Sequence, residues 1–155
     1  MVYKEDTVYK QGLTLDDISN NSIWEDITDK LGTKETAGFS FTRINITYNK
    51  LIGLIRVRGY SSSTTPMSGV TKVFTFNNDL PGYDTSNAIF YVEACCFSFI
   101  GEAALLRAIP YGPVSNINGF VTVQLISGST SFEYDSIVPV NNSLKDQLDQ
   151  YLENH

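Results

Sequence analysis

Residues 43–60 read RINITYNKLIGLIRVRGY. Ile44, Ile46 and Tyr48 alternate with Arg43, Asn45 and Thr47. Asn49-Lys50 is read as a tight turn, and Leu51–Tyr60 runs back with Ile55 and Val57 set against Arg56 and Arg58. Successive side chains on a strand point to opposite faces. Two alternating runs across a short Asn-led turn therefore predict a β-hairpin with one apolar face.

The same pattern continues downstream. Ser61–Ser68 is a polar loop holding Pro66, and Val70–Phe76 predicts a strand with Val70, Phe74 and Phe76 on one face. Asn77–Asn87 is a long turn region containing Leu80-Pro81-Gly82-Tyr83. Ala88–Ile100 is apolar on both faces: Ile89, Tyr91, Cys95 and Phe97 on one, Phe90, Val92, Ala94 and Cys96 on the other. That predicts burial on both sides, in the centre of a sandwich or against another subunit. Ala103–Ile109 follows, then the loop Pro110-Tyr111-Gly112-Pro113 and the strong turn signal Asn118-Gly119. Val121, Val123 and Leu125 alternate with Phe120, Thr122 and Gln124. Gly128 marks a turn, and Phe132–Val140 is the last strand. Seven or eight short strands with regular turns predict an all-β, antiparallel, jelly-roll-like β-sandwich.

The flanks differ. Residues 1–22 are polar without a sustained period and are read as an N-terminal arm or linker. The sandwich is expected over residues 23–141. At its start, Trp24, Ile27 and Leu31 fit a helical turn, while Trp24, Asp26 and Thr28 fit a strand equally well. Gly32 ends either element. Trp24 is a core plug or a stacking residue, and its neighbours Ile23 and Ile27 favour core. Residues 142–155 predict a C-terminal amphipathic helix. Asn142 or Ser143 caps it, and Leu144, Leu148, Tyr151 and Leu152 fall at i, i+4, i+7 and i+8. That stripe needs a partner surface, on this chain or a neighbour.

The 155 residues suffice for one domain with its own core. Charged residues are only 18%, and Ser, Thr, Asn and Gly fill the deficit, which suits strands and turns better than long helices. A net charge of −6 argues against nucleic-acid binding and against docking on anionic membranes, since both need clustered Lys and Arg. Arg56 and Arg58 are the closest basic pair and do not make a patch. No stretch approaches the roughly 20 apolar residues of a membrane-spanning helix.

Residues able to carry catalysis are scarce. The single histidine is His155, expected to fray, which disfavours Ser-His-Asp and Cys-His chemistry. Cys95 and Cys96 are adjacent in an apolar run. They point to opposite faces, so they are not expected to form a disulfide, and burial makes a thiol inert. Metal-ligand spacings and phosphate-binding glycine loops are missing from the sequence, and no cofactor or metal is expected. Paired carboxylates are the remaining enzymatic option. Glu133 and Asp135 share one strand face about 6–7 Å apart, a spacing within reach of glycosidases, although a solvated face explains them more simply. Glu93 sits inside the apolar run, either as a buried acid or, more simply, paired with Arg56, Arg58 or Arg107. Among the aromatics, the loop tyrosines Tyr60, Tyr83 and Tyr111 offer flat faces to a sugar ring or close the ends of the sandwich. With Asp84, Asn116 and Asn118 they make a candidate carbohydrate-binding set.

A succession of short motifs then carries a resemblance. Trp24-x-Asp26-Ile27-Thr28 is followed by Ile46-x-Tyr48-Asn49-Lys50-Leu51-Ile52, Val57-Arg58-Gly59 and Val73-Phe74-Thr75. Leu80-Pro81-Gly82-Tyr83, Asn118-Gly119-x-Val121-x-Val123 and Tyr134-Asp135-Ser136-Ile137-Val138-Pro139 complete it. Their order, across residues 24–140, resembles the receptor-binding or baseplate head domain of tail proteins from phages and prophages of Gram-positive bacteria. The resemblance implies a β-sandwich that assembles as a homotrimer at the virion's tail tip beside other tail or baseplate proteins. It also implies non-covalent recognition of host surface saccharides such as teichoic acids or cell-wall polysaccharide, by a protein made in the bacterial cytoplasm. The chain departs from the pattern in the loop 110–117 and in the helix after the last strand, and no saccharide-contacting residue carries over by motif. Two rivals follow from the sequence: a structural tail protein with only protein partners, and a carbohydrate-binding module or glycan hydrolase using Glu93, Glu133 or Asp135.

Overall fold

The structure is a computed structural model and describes residues 23–98 and 103–155. The arm expected at 1–22 lies outside the described residues. The chain folds as an all-β, antiparallel, sandwich-like sheet with a short C-terminal helix. Its elements are β1 (Trp24–Asp26), α1 (Thr28–Leu31), β2 (Gly32–Lys34), β3 (Phe41–Asn49), β4 (Leu54–Phe76), β5 (Val92–Ser98), β6 (Ala103–Ile109), β7 (Phe120–Pro139) and α2 (Lys145–Glu153). The ambiguity at Trp24 resolves into both readings in succession, a short strand and then one helical turn that seats Ile27 and Leu31 in the core.

The decisive hairpin is β3 and the first half of β4, with Asn49 opposite Leu54. The turn is longer than the two residues expected. It spans Lys50–Gly53, closed by the Gly53 N–H on the Asn49 carbonyl at 2.9 Å, with Gly53 at φ +66°. A left-handed residue at that place is what glycine supplies at low cost.

Two breaks expected from the sequence are instead continuous strand. The sequence predicts a loop at Ser61–Ser68 and a turn at Gly128, yet β4 runs for 23 residues and β7 for 20. The two pair along their length as one ribbon, with register shifts between Ser62 and Met67, between Met67 and Gly69, and between Lys72 and Phe74. At the last shift two residues of β4 step against one of β7, a β-bulge, which bends the strand and raises its twist; the first two shifts are larger irregularities in the ladder. Pro66 falls within the first irregularity, where no ladder N–H is required of it.

The bend divides the sheet. One half holds β1, β3, Leu54–Ser62 of β4 and Ser131–Pro139 of β7. The other holds β2, the remainder of β4 and β7, β6 and β5. Ile44, Ile46, Ile55 and Val57 from the first half and Phe74, Phe76, Val121 and Val123 from the second belong to a single core. At Phe97 and Ser98, β5 returns to pair with Glu133 and Phe132 of β7, joining the two halves on that side.

The helix stripe finds its partner on this chain. Leu144, Leu148, Tyr151 and Leu152 are buried in the same core. Asn141 caps the preceding turn, its Oδ1 accepting from Ser143 N–H at 3.1 Å and Ser143 O–H at 2.8 Å. Two hydroxyls fix the helix laterally: Tyr48 donates to Asp149 at 2.6 Å, and Tyr151 donates to the Lys30 carbonyl at 2.7 Å. His155, expected to fray, stacks on Tyr151 with ring centroids 3.8 Å apart.

Candidate functional site

The outward side of β3, β4 and β7 carries two cross-strand rows. Arg43 lies opposite Tyr60, which lies opposite Glu133. Asn45 lies opposite Arg58, which lies opposite Asp135. All six are odd-numbered in β3 and β7 and even-numbered in β4, so strand alternation turns them together away from Ile44, Ile46, Val57 and Phe132 in the core. With Cys95 of β5 they line a groove of about 800 Å³, whose floor includes Gly59.

Two of these six side chains, Asn45 and Asp135, are committed. Arg56, one step along β4, holds Asp135 with two bonds, Nε to Oδ1 at 2.8 Å and Nη2 to Oδ2 at 2.5 Å. That hydrogen bonding, helped by the charges of Arg56 and Arg58, keeps the Asp135 carboxyl below the usual carboxylate range, and the same pairing raises Arg56. Asn45 donates to Asp26 at 2.9 Å. Arg43, Arg58, Tyr60 and Glu133 make no side-chain hydrogen bond or ion pair among the described residues. Phe41 flanks Tyr60 with ring centroids 6.0 Å apart and is half exposed.

The carbohydrate-binding set expected from the sequence is divided. Tyr60 lies in the groove. Tyr83, Tyr111 and Asn118 gather at the loop end instead. Gly112 N–H donates to the Tyr83 carbonyl at 2.6 Å, and Gly119 N–H to the Ile109 carbonyl at 2.6 Å. Gly119, at φ +84°, passes so close that a Cβ there would meet the Tyr83 hydroxyl at 3.0 Å. Tyr83 thus packs on the Asn118-Gly119 turn and closes the sandwich. Asn118 is only 6% exposed, which withdraws its side chain from any ligand. Asp84 and Asn116 are exposed on these loops.

The carboxylates singled out for catalysis are also divided. Glu93 is not buried. It points outward beside Arg107, Oε2 to Nε 3.6 Å, and accepts the Tyr91 hydroxyl. The two-sided apolar run resolves likewise: Val92 and Cys96 face the core, while Tyr91, Glu93 and Cys95 are exposed in the single chain. Glu133 and Asp135 do share one face.

Arg43, Asn45 and Arg58 were not singled out from the sequence as ligand-facing residues. The available signal was alternation, which places them on the face of Tyr60. Comparison with protein-family models, with curated proteins and with solved structures finds no match for this chain.

Proposed function

We propose that the chain is a phage or prophage tail domain that recognises a host cell-surface saccharide without covalent chemistry, in the groove over β3, β4 and β7. The observation that carries the proposal is the row of uncommitted side chains on a rigid sheet. Arg43, Arg58, Tyr60 and Glu133 line one groove with their hydrogen-bonding groups unspent among the described residues. A tyrosine ring offers a sugar both an apolar face and a hydroxyl. Guanidinium and carboxylate groups bond ring hydroxyls and acidic substituents. The sheet fixes the backbone positions of these residues before the ligand arrives, so binding has only their side-chain rotamers left to order. The motif order along residues 24–140 supplies the tail context. Three such sites on a homotrimer, repeated on a tail tip, raise a weak single-site affinity through effective concentration.

The test is binding of the full chain to host cells and to a glycan array, with Tyr60→Ala and Arg43→Gln as variants. Binding weakened about tenfold or more by either substitution supports the reading, while failure to bind any glycan or cell removes it. Release of reducing ends from a bound polysaccharide, lost in Glu133→Gln, would move the assignment to a glycan hydrolase.

A second reading, a structural tail piece with only protein partners, is favoured by a separate observation. Val114 and Ile126, at 74% and 77%, are the most exposed large apolar side chains among the described residues, and a protein partner would cover them. Cell binding by the isolated chain discriminates the two.

A further inference from the structure

We infer that the groove is built for a zwitterionic saccharide, one carrying an acidic group and a free amine about a disaccharide's length apart. The inference rests on the saccharide reading above and narrows its ligand class.

Together with its neighbour Arg56, the groove holds more cationic than anionic side chains. Its walls and immediate neighbour hold Arg43, Arg56, Arg58, Glu133 and Asp135. Arg56 and Asp135 neutralise one another through two hydrogen bonds. Two guanidiniums and one carboxylate remain, a local excess of positive charge on a chain of net charge −6. A neutral ligand would leave three charges partly desolvated with nothing to face, and a purely anionic one would meet Glu133.

Register then sets the order. Arg43, Tyr60 and Glu133 stand directly opposite one another on three adjacent strands. Neighbouring strands are about 4.8 Å apart, so the row spans roughly 10 Å from guanidinium strand to carboxylate strand. A ligand lying across the strands meets a cation, an aromatic ring and an anion in that sequence. Arg58 lies one residue pair along the middle strand, next to Tyr60, between Asn45 of β3 and the already neutralised Asp135 of β7, and adds a second cation within reach of a group held by Arg43. The acidic group therefore belongs over β3 and β4, a sugar ring over Tyr60, and the ammonium over Glu133 of β7.

The test uses three disaccharide probes in titration calorimetry at low salt: glucosamine joined to glucuronic acid, its N-acetylated form, and its carboxyl-reduced form. The zwitterion should bind about fivefold tighter than either singly charged probe, the scale of one exposed ion pair. Glu133→Gln should abolish the preference over the N-acetylated form and keep the preference over the carboxyl-reduced form. Arg43→Gln combined with Arg58→Gln should do the reverse. All three side chains face solvent, so unchanged circular dichroism will show that the fold is intact. Equal affinity for the three probes, or a Glu133→Gln effect common to all of them, overturns the inference. If the array then shows binding of neutral glycans, the saccharide reading survives alone. If no glycan binds, both fall.

Discussion

The Tyr48 hydroxyl donates a 2.6 Å hydrogen bond to the Asp149 carboxylate and so ties the centre of the first hairpin to the C-terminal helix, 101 residues away in sequence. Tyr48 is buried, and Asp149 keeps only its other oxygen for Lys145, at 2.9 Å. A hydrogen bond to a charged group contributes roughly 1.5–3 kcal/mol. Tyr48→Phe should therefore lower stability by about 2 kcal/mol and Tm by about 4–8 °C for a domain of this size. Asp149→Asn, which keeps an acceptor, should cost less. An unchanged Tm in Tyr48→Phe would show that helix docking depends on the apolar stripe alone.

Two buried phenols set a direction for alkaline stability. Burial, reinforced by Asp149, raises the pKa of Tyr48 well above its ordinary value, and burial does the same to Tyr134. In the unfolded chain both ionise near pH 10. The folded pKa lies above the unfolded one, so this stability is fully present below pH 10 and is lost as pH rises beyond it. The unfolded state sheds protons that the folded state retains, and the slope is about 1.4 kcal/mol per pH unit for each group. Urea midpoints at pH 9 and 11 measure it. Equal midpoints would mean that the two phenols ionise freely in the folded chain.

Which residues face the core was readable from alternation in the hairpin, but which residues face each other was not. A two-residue turn at Asn49-Lys50 would set Arg43 opposite Arg56, whereas the observed four-residue turn sets it opposite Tyr60. The two registers differ by four residues, so every side chain keeps its face and changes its neighbour. The groove, which is defined by neighbours, was hidden for that reason. The bent ribbon was hidden for another. Ser61, Ser129 and Ser131 are buried with small polar side chains, and Thr42 and Ser61 satisfy each other at 2.8 Å. A sharply bent stretch lined by hydroxyls carries no apolar period, and a polar run holding Pro66 reads as a loop. The helix was legible because its i, i+4, i+7, i+8 stripe is packed as written.

The adjacent cysteines should react at different rates. Cys95 is exposed at the groove, whereas Cys96 is buried and its thiol is pushed up to about 11 by that burial, with a smaller contribution from Cys95. A thiolate is the reactive form. At pH 8 a maleimide should label one site quickly, and mass spectrometry of the digest should place it at Cys95. The second site should appear only with unfolding. Rapid labelling of both in the native chain would contradict the placement of β5.

The floor of the groove offers a paired prediction with opposite signs. Gly59 lies between Ile44 and Tyr134 in register, and the Tyr134 ring lies against it, so that a Cβ at Gly59 would collide with the Tyr134 hydroxyl and the Arg43 carbonyl. One of those neighbours is backbone and the other is nine-tenths buried, so neither can move aside cheaply. Gly59→Ala should cost about 1–3 kcal/mol, the usual range for overpacking. The Tyr134 hydroxyl, in contrast, is buried with no hydrogen-bond partner among the described residues. Leaving a hydroxyl unpaired in a core is unfavourable by about 1–3 kcal/mol, so Tyr134→Phe should be neutral or stabilising by up to that amount. Phe also relieves part of the clash, because the nearest atom to the added methyl is the hydroxyl oxygen that Phe lacks. The double variant should therefore be more stable than Gly59→Ala by more than Tyr134→Phe gains in the parent chain. Chemical denaturation of the four proteins gives this coupling directly. Strict additivity would show that the glycine serves the Arg43 backbone alone, and a strong loss in Tyr134→Phe would show that its hydroxyl is satisfied.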